Sequence, residues 1–325
     1  MKPILMIFTL FVFGTTNAQN FPKLKETFRL DQLKPPTGKV RMVLDTDTYN
    51  EVDDQFALAY AYLSKEKIQL EAVYAAPFKN NRSESPGDGM EKSYQEIQKL
   101  LKMLGKSAEG FAFRGSDRYL EDISKPIRSE AALDLIKKAI ASSPENPLYV
   151  VPVGCITNIA SAILIEPKII ENIVVVWLGG NDLNWPHQKE FNLMQDVHAA
   201  RVVLDSGVPF VIMPCHPVVS HFRTTIPELE HYLKGKNELS DYLFNIVLEY
   251  SGGHKPDAWS KVIWDVTAVA WLVNPSWIAT NLVHSPILTD QVTYSVDQSR
   301  HFMRMATSLN RDAIFRDLYG KLTID

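Results

Sequence analysis

The sequence predicts an α/β fold: a mostly parallel open sheet with helices on both faces and a helical cap over the carboxyl-terminal strand ends. Three observations carry this. Short apolar runs, 148–153 and 173–178 above all, alternate with helical runs from about residue 41 to residue 213, as chained βαβ units do. Those runs are apolar at every position, which fits strands covered on both faces. Asp- and Asn-rich segments follow the apolar runs, where an open parallel sheet keeps its ligands.

In order, residues 41–44 read as a strand ending in Asp45. Residues 53–63 follow as a helix apolar nearly all round, hence buried. Residues 70–77 read as a strand, 89–104 as a helix, 111–114 as a short strand and 129–142 as an amphipathic helix. Strand 148–153 precedes a helix over 157–165. Strand 173–178, helix 197–204 and strand 208–213 complete the alternation. Beyond Cys215 the pattern changes to helices over 226–233, 238–250 and 266–272, strands over 287–295 and 303–308, and a closing helix over 313–322. No repeat, low-complexity tract or Gly/Ser linker intervenes, so residues 19–325 are expected to form one domain.

The 325 residues are 46% hydrophobic and 22% charged, enough for a sizeable core. A net charge of −4 offers no basic surplus for nucleic acid. Lys2, the apolar run 4–13 and the small residues of Thr16-Asn17-Ala18 read as a signal peptide over 1–18. That run is too short to span a bilayer. The mature chain is therefore expected to be exported, periplasmic or secreted, without membrane contact after cleavage. Export permits disulfides, but Cys155 and Cys215 are the only cysteines, and a bridge and two buried thiols both remain open.

Five carboxylates fall within ten residues: Asp45, Asp47, Glu51, Asp53 and Asp54. Crowded together they would repel, and a hard cation with oxygen ligands, calcium above all, relieves that repulsion. No tight Cys/His spacing suggests zinc. On the competing reading Asp53 merely caps a helix and the others face water. Further polar groups stand at later strand ends: Asn80-Asn81, Val153-Gly154, and Gly179-Gly180-Asn181 with Asn184, Glu190 and Asn192 beyond. Asp265 opens a later helix.

Asp45-Thr46-Asp47 with Asp53-Asp54 resembles the amino-terminal signature of the inosine/uridine-preferring nucleoside hydrolases. The segment from Val151 to Ala160 resembles that family's strand-turn-helix segment. Leu178-Gly179-Gly180 followed by Glu190-Phe191-Asn192 resembles its sugar-binding segment, and Asp265 stands where it keeps its last metal ligand. The order holds from about residue 40 to the carboxyl end. The resemblance implies a calcium ion held by Asp47, Asp54, Asp265 and the main-chain carbonyl of Val153. It implies Asp47 as general base toward a calcium-activated water. Asp53, Asn80, Asn184, Glu190 and Asn192 match the groups that hold the ribose hydroxyls and 5′ end. The implied reaction is hydrolysis of a ribonucleoside to ribose and free base through an oxocarbenium-like state. A homodimer or homotetramer is implied as well.

Two departures stand out. Five residues, 48–52, separate Asp47 from Asp53, where the best-known members have three. Many members place His just before the last metal Asp as proton donor to the base, whereas here stands Trp264. Trp can stack on a base but not protonate it, which favours purine nucleosides; core packing is the ordinary alternative. Trp185 offers a second stacking face. His187, His198, His216, His221 and His254 receive no role.

A haloacid-dehalogenase-type phosphatase is disfavoured by Tyr49, where that class wants Thr or Val, and an EF-hand-like loop by the lack of its Gly. The alternative of a different class is an exported nucleoside- or ribose-binding protein of the same fold without turnover.

Overall fold

The computed structural model describes residues 21–253 and 258–324. The expected signal peptide and His254 lie outside the described residues. Among the described residues there are twelve strands: β1 (Val40–Thr46), β2 (Ile68–Ala75), β3 (Ala112–Arg114), β4 (Leu148–Pro152), β5 (Ile173–Leu178), β6 (Phe210–Met213), β7 (Arg223–Thr224), β8 (Lys261–Val262), β9 (Ile278–His284), β10 (Ile287–Leu288), β11 (Tyr294–Ser295) and β12 (Phe302–Leu309). Eight form one sheet in the order β3-β2-β1-β4-β5-β6-β12-β9, parallel throughout except for β9, which pairs antiparallel with β12 at one edge. Two ribbons, β7-β8 and β10-β11, stand apart.

The helices are α1 (Glu26–Gln32), α2 (Asp54–Leu63), α3 (Pro86–Met103), α4 (Glu130–Ile140), α5 (Thr157–Ile165), α6 (Phe191–Gln195), α7 (Val197–Ser206), α8 (Ile226–Leu233), α9 (Glu238–Tyr250), α10 (Val266–Val273) and α11 (Arg311–Leu322). Strand side chains alternate between two cores. Met42, Leu44, Val174 and Val176 face the core built with α2, α3 and α8 to α11. Val43, Val175 and Trp177 face the core built with α4, α5 and α7. Burial on both faces explains why β4 and β5 carry no polar position. Among the described residues no helix is long and apolar enough to cross a membrane.

Most expected elements are present with ends moved by one to three residues. The expected strand over 287–295 is instead the ribbon β10-β11, closed by a turn in which Val292 N–H donates to Thr289 O at 3.1 Å and Val292 takes φ +58°. Strand β9 was not expected. It is an edge strand exposed along much of its length, so its sequence IATNLVH carries little apolar pattern. Cys155 and Cys215 are both buried free thiols, and Cys155 Sγ donates to Pro77 O at 2.9 Å.

The strand order reverses between β1 and β4: β1 leads outward through β2 to β3, and β4 leads outward through β5 to β6. The loops after β1 and β4 therefore part in opposite directions and leave a crevice at their carboxyl ends.

Candidate active site at the sheet's switch point

A cleft of about 450 Å³ opens at that crevice, the size of small-molecule sites. Its floor begins with Asp47, just past β1, and with Val153, just past β4 and followed by Gly154. The fully buried indole of Trp177, in β5, donates Nε1–H to Gly154 O at 3.0 Å and fixes this turn. A Cβ on Gly154 would stand 2.8 Å from Asp47 Oδ1, so only glycine lets the turn approach the carboxylate so closely.

The longer loop 48–52 folds back on itself. Asp47 O accepts from Asn50 N–H at 2.6 Å, and Thr48 O accepts from Gln55 Nε2 at 2.8 Å. This returns Asp53 and Asp54 to the mouth of β1 at the start of α2, where Thr46 Oγ1 donates to Asp54 Oδ1. Asp265 arrives from the start of α10. One carboxylate oxygen each of Asp53, Asp54 and Asp265 lies within 4.8 Å of the others. Asp45, Asp47, Asp53, Asp54 and Asp265 are all buried.

Burial sets the electrostatics. It pushes Asp45 up to about 7, against one hydrogen bond from Asn158 Nδ2 at 2.8 Å. It raises Asp54 to about 7, with Asp53 adding repulsion. Burial and then Asp54 hold Asp47 well above the carboxylate range, and burial with Asp53 and Asp54 does the same for Asp265. Asp53 rises less, to about 6, because the Lys261 ammonium opposes burial. Bare, Asp45, Asp47, Asp54 and Asp265 hold protons near neutrality, whereas Asp53 is mainly ionised. A divalent cation reverses that preference. Buried Asp47 Oδ2 has no hydrogen-bond partner, a costly state for a carboxylate that a cation would relieve. The all-oxygen donor set of Asp47, Asp54, Asp265 and Val153 O fits a hard cation. Val153 O accepts from Asn192 Nδ2 at 2.8 Å and keeps a second lone pair.

The residues expected around the sugar divide. Asp53, Asn80, Glu190, Asn192 and Trp264 line the cleft with the acidic cluster. Asn80, not Asn81, lines it, with Nδ2 donating to Asn50 Oδ1 at 2.7 Å. Glu190 caps α6: its oxygens accept from the N–H groups of Gly180, Asn192 and Leu193 at 2.8, 2.9 and 3.0 Å. Burial raises its pKa against those three bonds. Asn192 Nδ2 bridges Val153 O and Leu178 O, tying β4 to β5. Asn184 is not brought in. It is exposed, donates Nδ2–H to its neighbour Asp182 at 3.1 Å, and lies outside the cleft lining. A turn in which Trp185 N–H donates to Asp182 O carries Asn184 away. The buried Asn181 lines the cleft instead, bonded to His187 O and His216 N–H.

Lys261 was missed. From β8 it reaches Glu51 at 2.5 Å and Asp53 at 3.6 Å, with 7% of its side chain exposed. Asp53 Oδ2 also accepts from Trp264 N–H at 2.9 Å. Glu51 thus ties the longer loop to the ribbon. A lone Lys 210 residues away carries no local signal of this. The expected helical cap is not what lines the cleft: no residue of α8 or α9 is in its wall, and the segment from Lys261 to Asp265 brings Trp264 there instead.

Comparison with known proteins places the fold and the sequence. The pyrimidine-specific ribonucleoside hydrolase RihA of Escherichia coli O9:H4 (strain HS) is 29% identical over 158 residues, 46% of this chain and 49% of the relative. The protein of the same name from Citrobacter koseri is 24% identical over 257 residues, 70% of this chain and 78% of the relative. The chain thus spans about half the length of the first curated relatives it matches. Among solved structures, the purine-preferring ribonucleoside hydrolase from Gardnerella vaginalis has a TM-score of 0.69 at 20% identity, over 87% of this chain and 98% of that one. The plant nucleoside hydrolase PpNRh1 has a TM-score of 0.69 at 17% identity, over 88% and 99%. These likenesses speak for the fold. The sequence profile described as inosine-uridine preferring nucleoside hydrolase matches residues 42–316, and the chain belongs to that family.

Proposed function

We propose that the chain hydrolyses the N-glycosidic bond of ribonucleosides, releasing ribose and free base, and that it does so with calcium held by Asp47, Asp54, Asp265 and Val153 O. The observation that carries this is the unpartnered, buried Asp47 Oδ2 beside the Asp53, Asp54 and Asp265 cluster in a nucleoside-sized cleft. When bound, the cation would supply a Lewis-acid centre that lowers the pKa of a water beside Asp47. Asp47 accepts the proton of that water. The water oxygen bonds to C1′ as the C1′–N bond breaks, and the base departs with the electron pair and takes up a proton. Asp53, Asn80, Glu190 and Asn192 orient the ribose, and the surrounding carboxylates favour positive charge on the ring. Asp53, held by Lys261 and Trp264 N–H, stays ionised for this task.

Purine nucleosides are the proposed preference, because Trp264 in the cleft wall offers a stacking face and no proton. The named relatives divide on this point, two pyrimidine-specific by name and one purine-preferring. Export of residues 19–325 and assembly as a homodimer or homotetramer belong to the same proposal.

The test is ribose release by residues 19–325 from inosine, adenosine, guanosine, uridine and cytidine, with and without a calcium chelator. Chelator-sensitive release, with purines ahead, is expected. Release from pyrimidines alone would overturn the preference. No release from any nucleoside, with the cation bound, would favour the non-catalytic binding protein instead.

A further inference from the structure

One wall of the cleft holds an imidazole whose chemistry the proposed reaction does not use. His216 stacks on Trp185, with ring centroids 5.1 Å apart and planes 15° apart. It meets Trp264 edge to face at 5.8 Å and 73°. All three rings line the cleft. The backbone holds His216 firmly. Its N–H donates to Asn181 Oδ1 at 3.1 Å, and its carbonyl accepts from Asp182 N–H at 2.8 Å. Its two ring nitrogens, by contrast, have no hydrogen-bond partner among the described residues, though the ring is half-buried. A fixed imidazole with both nitrogens free in a cleft is arranged for a ligand. Burial, with Arg223 nearby, lowers its pKa, so near neutrality the ring is uncharged. An uncharged imidazole presents one donor and one acceptor.

The acidic cluster and Asn192 occupy the floor of the cleft, which suits a polyhydroxylated sugar. The Trp185-His216-Trp264 row suits a flat heteroaromatic ring. We infer that His216 hydrogen-bonds the edge of the substrate's heterocyclic base and sets which base the cleft accepts. This rests on the nucleoside-hydrolase reading above. The imidazole centroid stands 5.8 Å from that of Trp264, and its nitrogens have the donor and acceptor to pair with a ring nitrogen beside a carbonyl or amino group. Losing one such bond to a buried polar edge costs roughly tenfold in kcat/KM.

The experiment compares the wild type with His216→Phe, which keeps an aromatic ring against Trp185, and with His216→Ala, which cannot overpack. Each is assayed on the five ribonucleosides, and each is tested for product inhibition by D-ribose, which senses the sugar half alone. Both variants are expected to lose about tenfold or more in kcat/KM on the preferred nucleoside. The ranking among bases should flatten, and ribose inhibition should stay within about twofold. His216→Gln, which restores a donor and an acceptor, is expected to recover part of the loss. Nucleoside kcat/KM within about twofold of wild type would overturn the inference. So would an equal loss in ribose inhibition, which marks a merely structural role. If the wild type turns over no nucleoside, the hydrolase reading fails by itself. The comparison is then read as the Kd of inosine and of D-ribose by calorimetry, with the same expected split.

Discussion

Gly154→Ala places one methyl group against the proposed general base. The added Cβ would stand 2.8 Å from Asp47 Oδ1, 2.9 Å from its Cγ and 3.2 Å from its Cβ, where ordinary contact begins at 3.4 Å. The overlap is about 0.6 Å, and Asp47 has no free space to take it up, being 1% exposed beneath the cleft. Gly154 itself cannot retreat, since its carbonyl accepts from the buried Trp177 Nε1. Overpacking of this kind costs about 1–3 kcal/mol, several degrees in Tm for a chain of this size. The activity effect should be larger. A displacement near 1 Å of a reacting group costs on the order of 100-fold, so a loss of roughly 10- to 100-fold in kcat is expected. Calcium affinity should weaken with it, because Asp47 and Val153 O flank the same residue. Ribose release, a calcium titration and a melting curve read the three effects. A kcat within about threefold of wild type with unchanged calcium affinity would refute the placement of Asp47 at the reacting centre.

Three further outcomes follow from the same geometry. Asp47→Asn removes the acceptor and one buried charge; turnover should fall by more than about 10³-fold, while the calcium-free protein melts higher and gains less from calcium. Turnover near wild type would remove Asp47 from the role of base. The calcium-induced rise in Tm should grow from pH 5.5 to pH 8. Asp54 is raised to about 7, above its unfolded value, so bare it contributes stability at low pH that is lost as pH rises toward 7; calcium takes only the ionised form. Each proton displaced weakens calcium about tenfold per pH unit below 7. His301, pushed down to about 3, titrates alike with and without calcium and cancels from the difference. A Tm gain independent of pH would exclude these carboxylates as ligands. Lys261→Met strips the ammonium from Glu51 and buried Asp53. A loss of about 3–5 kcal/mol in stability is expected, with a higher KM for the nucleoside, read by denaturant unfolding and by kinetics. Unchanged stability would show that Asp53 does not depend on this pair.

The sequence by itself determined the sheet and where its chemistry lies. All-apolar runs such as Ile173–Leu178 and the polar residues after each strand are local patterns, and they were sufficient for a parallel sheet with a site at its carboxyl ends. The acidic run from Asp45 to Asp54 is equally local, but its crowding left a bound cation and a merely capping Asp53 both open. Three kinds of fact were left to the tertiary structure. The sheet's edge was one: β9 is half-exposed, so its apolar signal is weak, while the turn in residues 287–295 interrupts what looked like one strand. Selection among neighbouring polar residues was another. Asn181 enters the cleft and Asn184 leaves it because a turn at Asp182 rotates one away, and spacing alone cannot state that rotation. Long-range charge pairing was the third. Lys261 meets Glu51 and Asp53 only after the chain has closed, and His216 gains its place between Trp185 and Trp264 the same way. Periodicity records which face of an element is buried, whereas a site is assembled from the ends of many elements, and their meeting is decided by packing.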